Sequence, residues 1–380
     1  MSIILILFFI SEFLTKLLDF YGVEHYRVGI VIKMMFLCYV FARKLISSSL
    51  FGALVILGLL FFFSQLGIDT GLSLKEKLLE NLLYFAKYTF IFVMADYISQ
   101  LNFKDIQIHK ALTIILFFLR INFIAILVGI LFKLDLFRTY GHDRFGYNGI
   151  IQMNSHASYI YCFATIYVVY NYLKIKKITL DFWIIIISGL LIGTKTLYFF
   201  YALVGVYLIF HLKLYKKFTF YILFLLLVVA IFLSIDILSL FLSTHLKPFV
   251  ILYNDYGFIT AITSTRDLLL METLNLASQY DWSFINYLIG GGFFNILRTE
   301  MAFVDLFFFW GIIGMVLYLS LYYKYIIRHY LYNAFLKYAI FSVLLSAFFG
   351  GNYFTNAVTA IYILVFSNFF TLEKIKNSNN

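Results

Sequence analysis

Charge is scarce in this chain. Only 13% of its 380 residues are Asp, Glu, Lys or Arg and 63% are apolar, against about 25% and about 45–50% in an average globular domain. A water-covered surface cannot be assembled from what is left, which excludes a soluble protein. Cysteine is scarcer still: Cys38 and Cys162 are the two in the chain, and both fall inside apolar blocks, which excludes a disulfide framework or a Cys-based zinc site. There is one proline, Pro248, and no Gly/Ser/Pro-rich stretch or internal repeat divides the chain. Residues 1–380 are therefore expected to form one polytopic domain. The first apolar block lacks a basic region before it and a small-residue cleavage site after it, so it is expected to be an uncleaved span and not a signal peptide.

What is present is a succession of apolar blocks near the length that crosses a hydrocarbon core of about 30 Å. They are continuous and do not alternate, and in lipid a continuous block must close its own backbone hydrogen bonds as a helix. Twelve such blocks are read, at 3–20, 28–42, 47–66, 81–101, 111–132, 150–170, 178–192, 196–212, 218–241, 302–323, 331–349 and 357–372. The expected fold class is an all-α integral membrane protein of about twelve transmembrane helices, with one long external loop, 242–300, in its C-terminal half.

The net charge of +10 would raise the question of nucleic acid in a soluble domain. Here the basic residues gather in short loops. Arg43/Lys44, Lys104/Lys110, Lys174/Lys176/Lys177, Lys213/Lys216/Lys217, Lys324/Arg328 and Lys374/Lys376 lie on one side, about 14 basic residues in roughly 45 positions against about 10 in roughly 110 on the other. The dense side is expected to be cytoplasmic, with both termini on it and 242–300 outside; no nucleic-acid partner is expected. Within the long loop, 264–278 reads as an amphipathic helix lying on the membrane or over a cavity.

Four polar clusters fall on the outer face: Arg138 to Gly146, leading to Asn154, Ser155 and His156; the turn Gly193, Thr194, Lys195, Thr196; Thr263 to Asp267, centred on Arg266; and Gly290, Gly291, Gly292 followed by Glu300 and Asp305. Each has a plain alternative. Arg138 and Lys247 can touch lipid headgroups, the three glycines can be a flexible turn, His156 a hydrogen-bonded interior histidine, and Glu300 a solvated rim carboxylate. Taken together, Arg144, Lys195 and Arg266 put three cations on one membrane face, which suits a pyrophosphate better than a single lipid phosphate; Arg adds a planar bidentate fork. Glu300 and Asp305, five residues apart, would lie about 140° apart on one helix, so Glu300 is expected in the loop and Asp305 within the span. Charges inside the blocks form a second group: Glu12, Lys16, Lys33, Lys87, Asp96, Arg120 and Asp236. Such charges usually face the bundle interior. Glu12 and Lys16 have the i,i+4 spacing of an ion pair, and Arg120 is expected either to hold Asp96 or to bind an anionic group in a cavity.

In the order and content of these segments the chain resembles the polytopic bacterial polysaccharide polymerases of the O-antigen and capsule pathways, relatives of the O-antigen ligases. The likeness rests on the multi-span pattern with its long external loop, Arg144-Phe-Gly146 followed by Asn154, the Gly193-Thr-Lys195-Thr turn, Arg266 early in the loop, the Gly290–Gly292 run, and Glu300 before the stretch from Asp305 to Gly314. Lys195 stands where that family usually has Arg. The ligases typically carry a His-Asn pair where this chain has Glu300 to Asp305, which favours polymerase over ligase.

The resemblance implies a metal- and cofactor-independent glycosyltransferase in the bacterial cytoplasmic membrane. Its substrate would be an oligosaccharide repeat unit on undecaprenyl pyrophosphate, and it would work among membrane lipids beside a chain-length regulator and a flippase of the same pathway. Arg144 and Arg266, with Lys195 and Arg120, would neutralise the departing pyrophosphate. Gly290, Gly291, Gly292 and Asn154 would meet the glycan, and Glu300, His156 or Asp305 would take the acceptor proton. Glu300 is favoured because it stands where a glycan arrives from the aqueous side, whereas Asp305 lies about a turn and a half deeper and His156 about two turns into its span. The alternatives are a ligase-type transferase or a flippase for the same lipid-linked sugars; a flippase does not need a long external loop bearing Arg and carboxylates, and would more often show two pseudo-repeated halves.

Overall fold

The computed structural model describes residues 2–23, 28–43, 46–66, 74–100, 105–140, 144–233, 247–280, 282–292 and 298–379. It is 83% helical, with no strand among the described residues. The helices ahead of residue 242 are α1 Ser2–Phe20, α2 Val28–Ala42, α3 Ser48–Leu66, α4 Leu74–Gln100, α5 Asp105–Phe132, α6 Asn154–Ile175, α7 Leu180–Ile192, α8 Lys195–His211 and α9 Phe218–Leu233. Shorter helices follow: α10 Lys247–Tyr256, α11 Phe258–Thr263, α12 Arg266–Gln279 and α13 Phe284–Ile289. The chain closes with α14 Ala302–Tyr325, α15 Ala334–Phe349 and α16 Ala357–Asn379.

Each apolar block read from the sequence has a helix over most of its described length, though the blocks at 150 and 331 begin a few residues ahead of theirs, and 101, 234–241 and Asp236 fall outside the described residues. Five of the described helices, α3, α4, α5, α14 and α16, are long and apolar enough to cross a membrane. The protein is thus a helical membrane protein. α4 and α5 start several residues ahead of their apolar blocks because Leu, Lys, Glu and Gln in the preceding turns are good helix formers that a hydropathy reading passes over.

The bundle is built around α6 and α16. α16 packs against α4, α5 and α6, and 72% of its apolar window is buried, against 28% for the peripheral α3. α6 is buried on almost every side from His156 to Tyr170. A helix that is apolar all round belongs in such a position.

α6 begins at Asn154, not at 150. The segment before it is held open by contacts from far away in the chain. The Lys16 ammonium donates to Asn148 Oδ1 at 2.6 Å, to the Gly149 carbonyl at 2.5 Å and to the Ile151 carbonyl at 3.1 Å. Asn122 Oδ1 accepts from the Ile150 amide at 2.8 Å. These bonds are incompatible with a helix through 150–153, and they correct the expected Glu12–Lys16 pair. Glu12 turns instead to Lys33, 2.9 Å away, and to His156 Nδ1 at 3.1 Å, because a buried carboxylate needs charged or donating partners.

α14 is broken halfway. Gly311 has φ 63° and ψ −174°, a conformation essentially confined to glycine. A Cβ there would stand 2.3 Å from the Leu288 carbonyl oxygen and 2.4 Å from the Gly290 nitrogen. The break is where α13 and the glycine run press against the helix, and the Gly292 amide takes up the Phe308 carbonyl at 2.8 Å.

Candidate functional site

The site starts from a small hairpin. Arg138 and Tyr147 form an antiparallel bridge, closed by the Thr139 amide donating to the Gly146 carbonyl at 2.8 Å. It sits on the C-terminus of α7: Thr139 Oγ1 donates to the Ile192 carbonyl at 2.8 Å, and the Tyr147 amide to the Leu191 carbonyl at 2.9 Å. The α7–α8 turn is tight because Gly193 takes φ 74°, and a Cβ there would meet the Phe145 carbonyl oxygen at 2.7 Å. That close approach puts Arg144 and Lys195 on the same cavity.

The cavity has a volume of about 550 Å³ and is bordered by Arg144, Lys195, Arg266, Glu300, Asn154 and Asn352, among others. Residues from the first turns of α6, α8 and α12 all line it. Three helix N-termini around one space bring the positive ends of three macrodipoles to the same place, and three cationic side chains add to them. The Arg144 guanidinium lies over the Tyr140 ring at 3.9 Å and has no carboxylate partner among the described residues. Burial pushes the Tyr140 phenol above its ordinary range, while Arg144 and Arg266 pull it back.

Arg266 is partly engaged. Its Nε donates to the Glu300 carbonyl and its Nη1 to the Thr263 carbonyl, both at 2.9 Å, while Nη2 stands 3.8 Å from Glu300 Oε2. Glu300 itself has a left-handed backbone, φ 56°, and Gly351 packs beneath it so closely that a Cβ would be 2.7 Å from the Glu300 carbonyl oxygen. The Glu300 carboxylate is half exposed at the cavity mouth. Lys195 ties α8 to the loop helices, donating to the Ala261 carbonyl at 2.5 Å and to Ser264 Oγ at 2.7 Å; the charges of Arg144 and Arg266 both reach it. At the α11–α12 corner, burial raises the Asp267 carboxyl, but hydrogen bonds from the Thr260 and Thr263 hydroxyls, at 2.5 and 2.7 Å, hold it below the usual carboxylate range.

Arg144, Lys195, Arg266, Glu300 and Asn154 thus share one cavity. Other expected site residues do not. Arg120 forks onto Asp181, with bonds of 2.7 and 2.9 Å, so it reaches neither Asp96 nor the cavity; Asp96 is held by Ser47, Gln100 and Tyr325. Asp305 is buried with Oδ1 accepting from the Thr299 amide and hydroxyl at 2.7 and 2.8 Å, which fixes the entry to α14 and keeps it out of the cavity lining. Gly290, Gly291 and Gly292 are also absent from the lining. A Cβ on Gly290 would be 2.4 Å from the Phe309 carbonyl oxygen: the run lets backbone meet backbone at the α14 break. His142, Asp143, Phe293 and Phe294 lie outside the described residues.

His156 stands in the first turn of α6, not two turns in, and faces a second cavity of about 500 Å³. The two cavities share Gln152, Met153, Ser155 and Asn352 on their common border. Gln152, Tyr159 and Asn352 also line the first cavity and lie outside the polar clusters read from the sequence. Asn352 follows Gly350 and Gly351 in a short polar break between two apolar blocks, the one signal that marks it. Tyr159 lies within an apolar block and has none, although its hydroxyl, donating to the Gly350 and Gly351 carbonyls at 3.0 and 3.2 Å, supports that break.

The chain matches no family model, no curated protein and no solved structure.

Proposed function

We propose that the protein is a membrane glycosyltransferase of the polysaccharide-polymerase type. It moves a glycan from undecaprenyl pyrophosphate onto a hydroxyl of the next lipid-linked repeat unit, at the outer face of the bacterial cytoplasmic membrane. The observation that carries this reading is the gathering of Arg144, Lys195 and Arg266, from three separate stretches of sequence, with three helix N-termini around one cavity. A pyrophosphate leaving group is the ligand whose charge grows as the reaction proceeds, and fixed donors aimed at developing charge are the largest catalytic contribution an enzyme of this kind can make. The twelve spans, the cytoplasmic termini and the outward long loop belong to the same reading and are supported by the Lys/Arg asymmetry between the two sets of loops.

In the reaction the acceptor oxygen forms a bond to the anomeric carbon. The bond from that carbon to the pyrophosphate breaks with its electron pair going to the phosphate oxygen, where Arg144 and Arg266 neutralise it. The acceptor proton passes to a protein base, for which Glu300 at the mouth of the first cavity and His156 in the second are the candidates. Lipid-linked oligosaccharide, bulk lipid, a chain-length regulator and a flippase are the partners this role entails.

The test is binding of a radiolabelled undecaprenyl-pyrophosphate repeat unit to purified protein, followed by polymer formation. Arg144→Ala is expected to weaken donor binding by about tenfold or more, while Lys216→Ala, in an opposite loop, leaves it unchanged. Equal binding by wild type and Arg144→Ala would remove the basis of the proposal.

A further inference from the structure

The second cavity differs in kind from the first. One wall is apolar, formed by Ile30, Met34 and Leu37 of α2 with Leu83 and Phe90 of α4; the other is polar, formed by Gln152, His156, Asn352 and Asn356. Amides and an imidazole suit hydroxyl-rich ligands, since each can donate or accept, and the apolar wall suits a hydrocarbon chain. The charged groups that face it are Glu12 and Asp19 of α1, Lys33 of α2, Lys87 of α4 and Arg298 before α14. They offset one another far more than the cations of the first cavity do. Glu12 is bound to Lys33, Asp19 accepts from the Gln152 amide at 2.7 Å, and Arg298 donates to Asn352 Oδ1.

His156 is oriented within this space. A carboxylate only accepts, so the contact from Nδ1 to Glu12 Oε2 at 3.1 Å puts a hydrogen on Nδ1, and the neutral ring then carries its lone pair on Nε2. Glu12 is held in turn by Lys33, and Gly29 allows α2 to come close: a Cβ there would be 2.9 Å from Glu12 Oε1. Lys33, Glu12 and His156 form a chain from three helices that ends at the cavity and next to the border it shares with the cationic one.

We propose that this second cavity seats the acceptor, an isoprenoid-linked sugar whose chain lies on the α2–α4 wall and whose hydroxyl is deprotonated by His156, with Glu12 as the positioning residue. The assignment rests on the glycosyl-transfer reading of the first cavity. The acceptor O–H proton passes to Nε2, the oxygen bonds to the anomeric carbon of the donor, and the donor's bond to pyrophosphate breaks with its electron pair on the phosphate. Donor and acceptor, though chemically alike, then occupy separate cavities that touch at Gln152, Met153, Ser155 and Asn352.

The experiment uses the full chain in lipid nanodiscs with two probes: the lipid-pyrophosphate repeat unit as donor, and the same oligosaccharide on an alkyl aglycone, which accepts but cannot donate. Met34→Trp fills the apolar wall without touching His156 and is expected to raise the acceptor KM tenfold or more while the donor KM stays within twofold. Glu12→Gln is expected to lower kcat at least tenfold with both KM values within twofold, and Glu12→Asp to recover part of the loss. An unchanged acceptor KM in Met34→Trp, or a donor KM that rises with it, overturns the acceptor assignment. A normal kcat in Glu12→Gln overturns the positioning role. Wild-type protein that neither binds nor consumes the donor would instead remove the glycosyl-transfer reading itself.

Discussion

Arg266 has two tasks, and substituting it separates them. Its Nε and Nη1 hold the carbonyls of Glu300 and Thr263 at 2.9 Å each, which braces the left-handed turn at Glu300, while the outer edge of the guanidinium borders the cavity. A hydrogen bond from a charged donor contributes about 1.5–3 kcal/mol. The two freed carbonyls recover part of that from water, since the removed side chain lines the cavity and leaves space continuous with it. The net effect of Arg266→Ala is therefore worked at about one such bond, or roughly a ten- to hundredfold loss of turnover at about 1.4 kcal/mol per factor of ten. Arg266→Lys keeps the charge but cannot reach both carbonyls and a ligand at once, so it should recover a minor part. The assay is polymer formation by purified protein at matched amounts, with thermal unfolding measured alongside. Normal turnover in Arg266→Ala would refute the reasoning, and a loss of turnover that only tracks a fall in melting temperature would refute the ligand role while keeping the bracing.

Three further outcomes are expected. Gly311→Ala combines a glycine-only backbone with a Cβ placed 2.3 Å from the Leu288 carbonyl oxygen, so it should cost about 2–6 kcal/mol in unfolding free energy; an unchanged melting curve would show that the α14 break is not needed. Because the folded Asp267 carboxyl lies below its unfolded value, its stabilisation of the α11–α12 corner is complete above the ordinary carboxylate range and is lost as pH falls through the folded value. Limited proteolysis of that corner should accelerate in wild type only at strongly acidic pH, while Asp267→Asn should be labile already at neutral pH; identical profiles would contradict this. Impermeant thiol reagents applied to intact cells should label Asn254→Cys and spare Lys176→Cys and Lys216→Cys, and the reverse pattern would place the cavity on the wrong face.

The helices were legible because length and hydropathy are local properties of the chain. The split of Glu300 from Asp305 by the start of α14 was legible for the same reason, since helical geometry alone forbids them a common face. Arg144, Lys195 and Arg266 stand out as cations within short polar clusters, and one cavity holds all three. What could not be read were partners across long separations. Glu12 has Lys16 at helical spacing, yet the backbone oxygens of 149 and 151 claim Lys16 and leave Glu12 to Lys33 and His156. Arg120 meets Asp181 because α5 and α7 are neighbours, which no spacing encodes. The Gly290–Gly292 run reads the same way whether glycine frees a loop or permits a close backbone contact, and the α14 break decides for the second.

The placing of α16 has a consequence for how the protein is made. It is synthesised after the helices it packs against, α4, α5 and α6, and is among the most deeply enclosed of the described helices. Until it is inserted, the faces that α4, α5 and α6 turn towards it are open, and lipid or the insertion machinery must cover them. The contacts that shape the cavities are also distant in the chain: Lys16 meets Asn148 across 132 positions and Glu12 meets His156 across 144. Biogenesis therefore has to hold α1, already packed on α2, in the membrane while three more helices are inserted before α6 brings His156 to Glu12. A stop codon ahead of residue 357 would accordingly remove more than one helix: it would leave the preceding spans without the body they close upon, and cellular quality control should degrade the whole chain and not merely tolerate a shortened one.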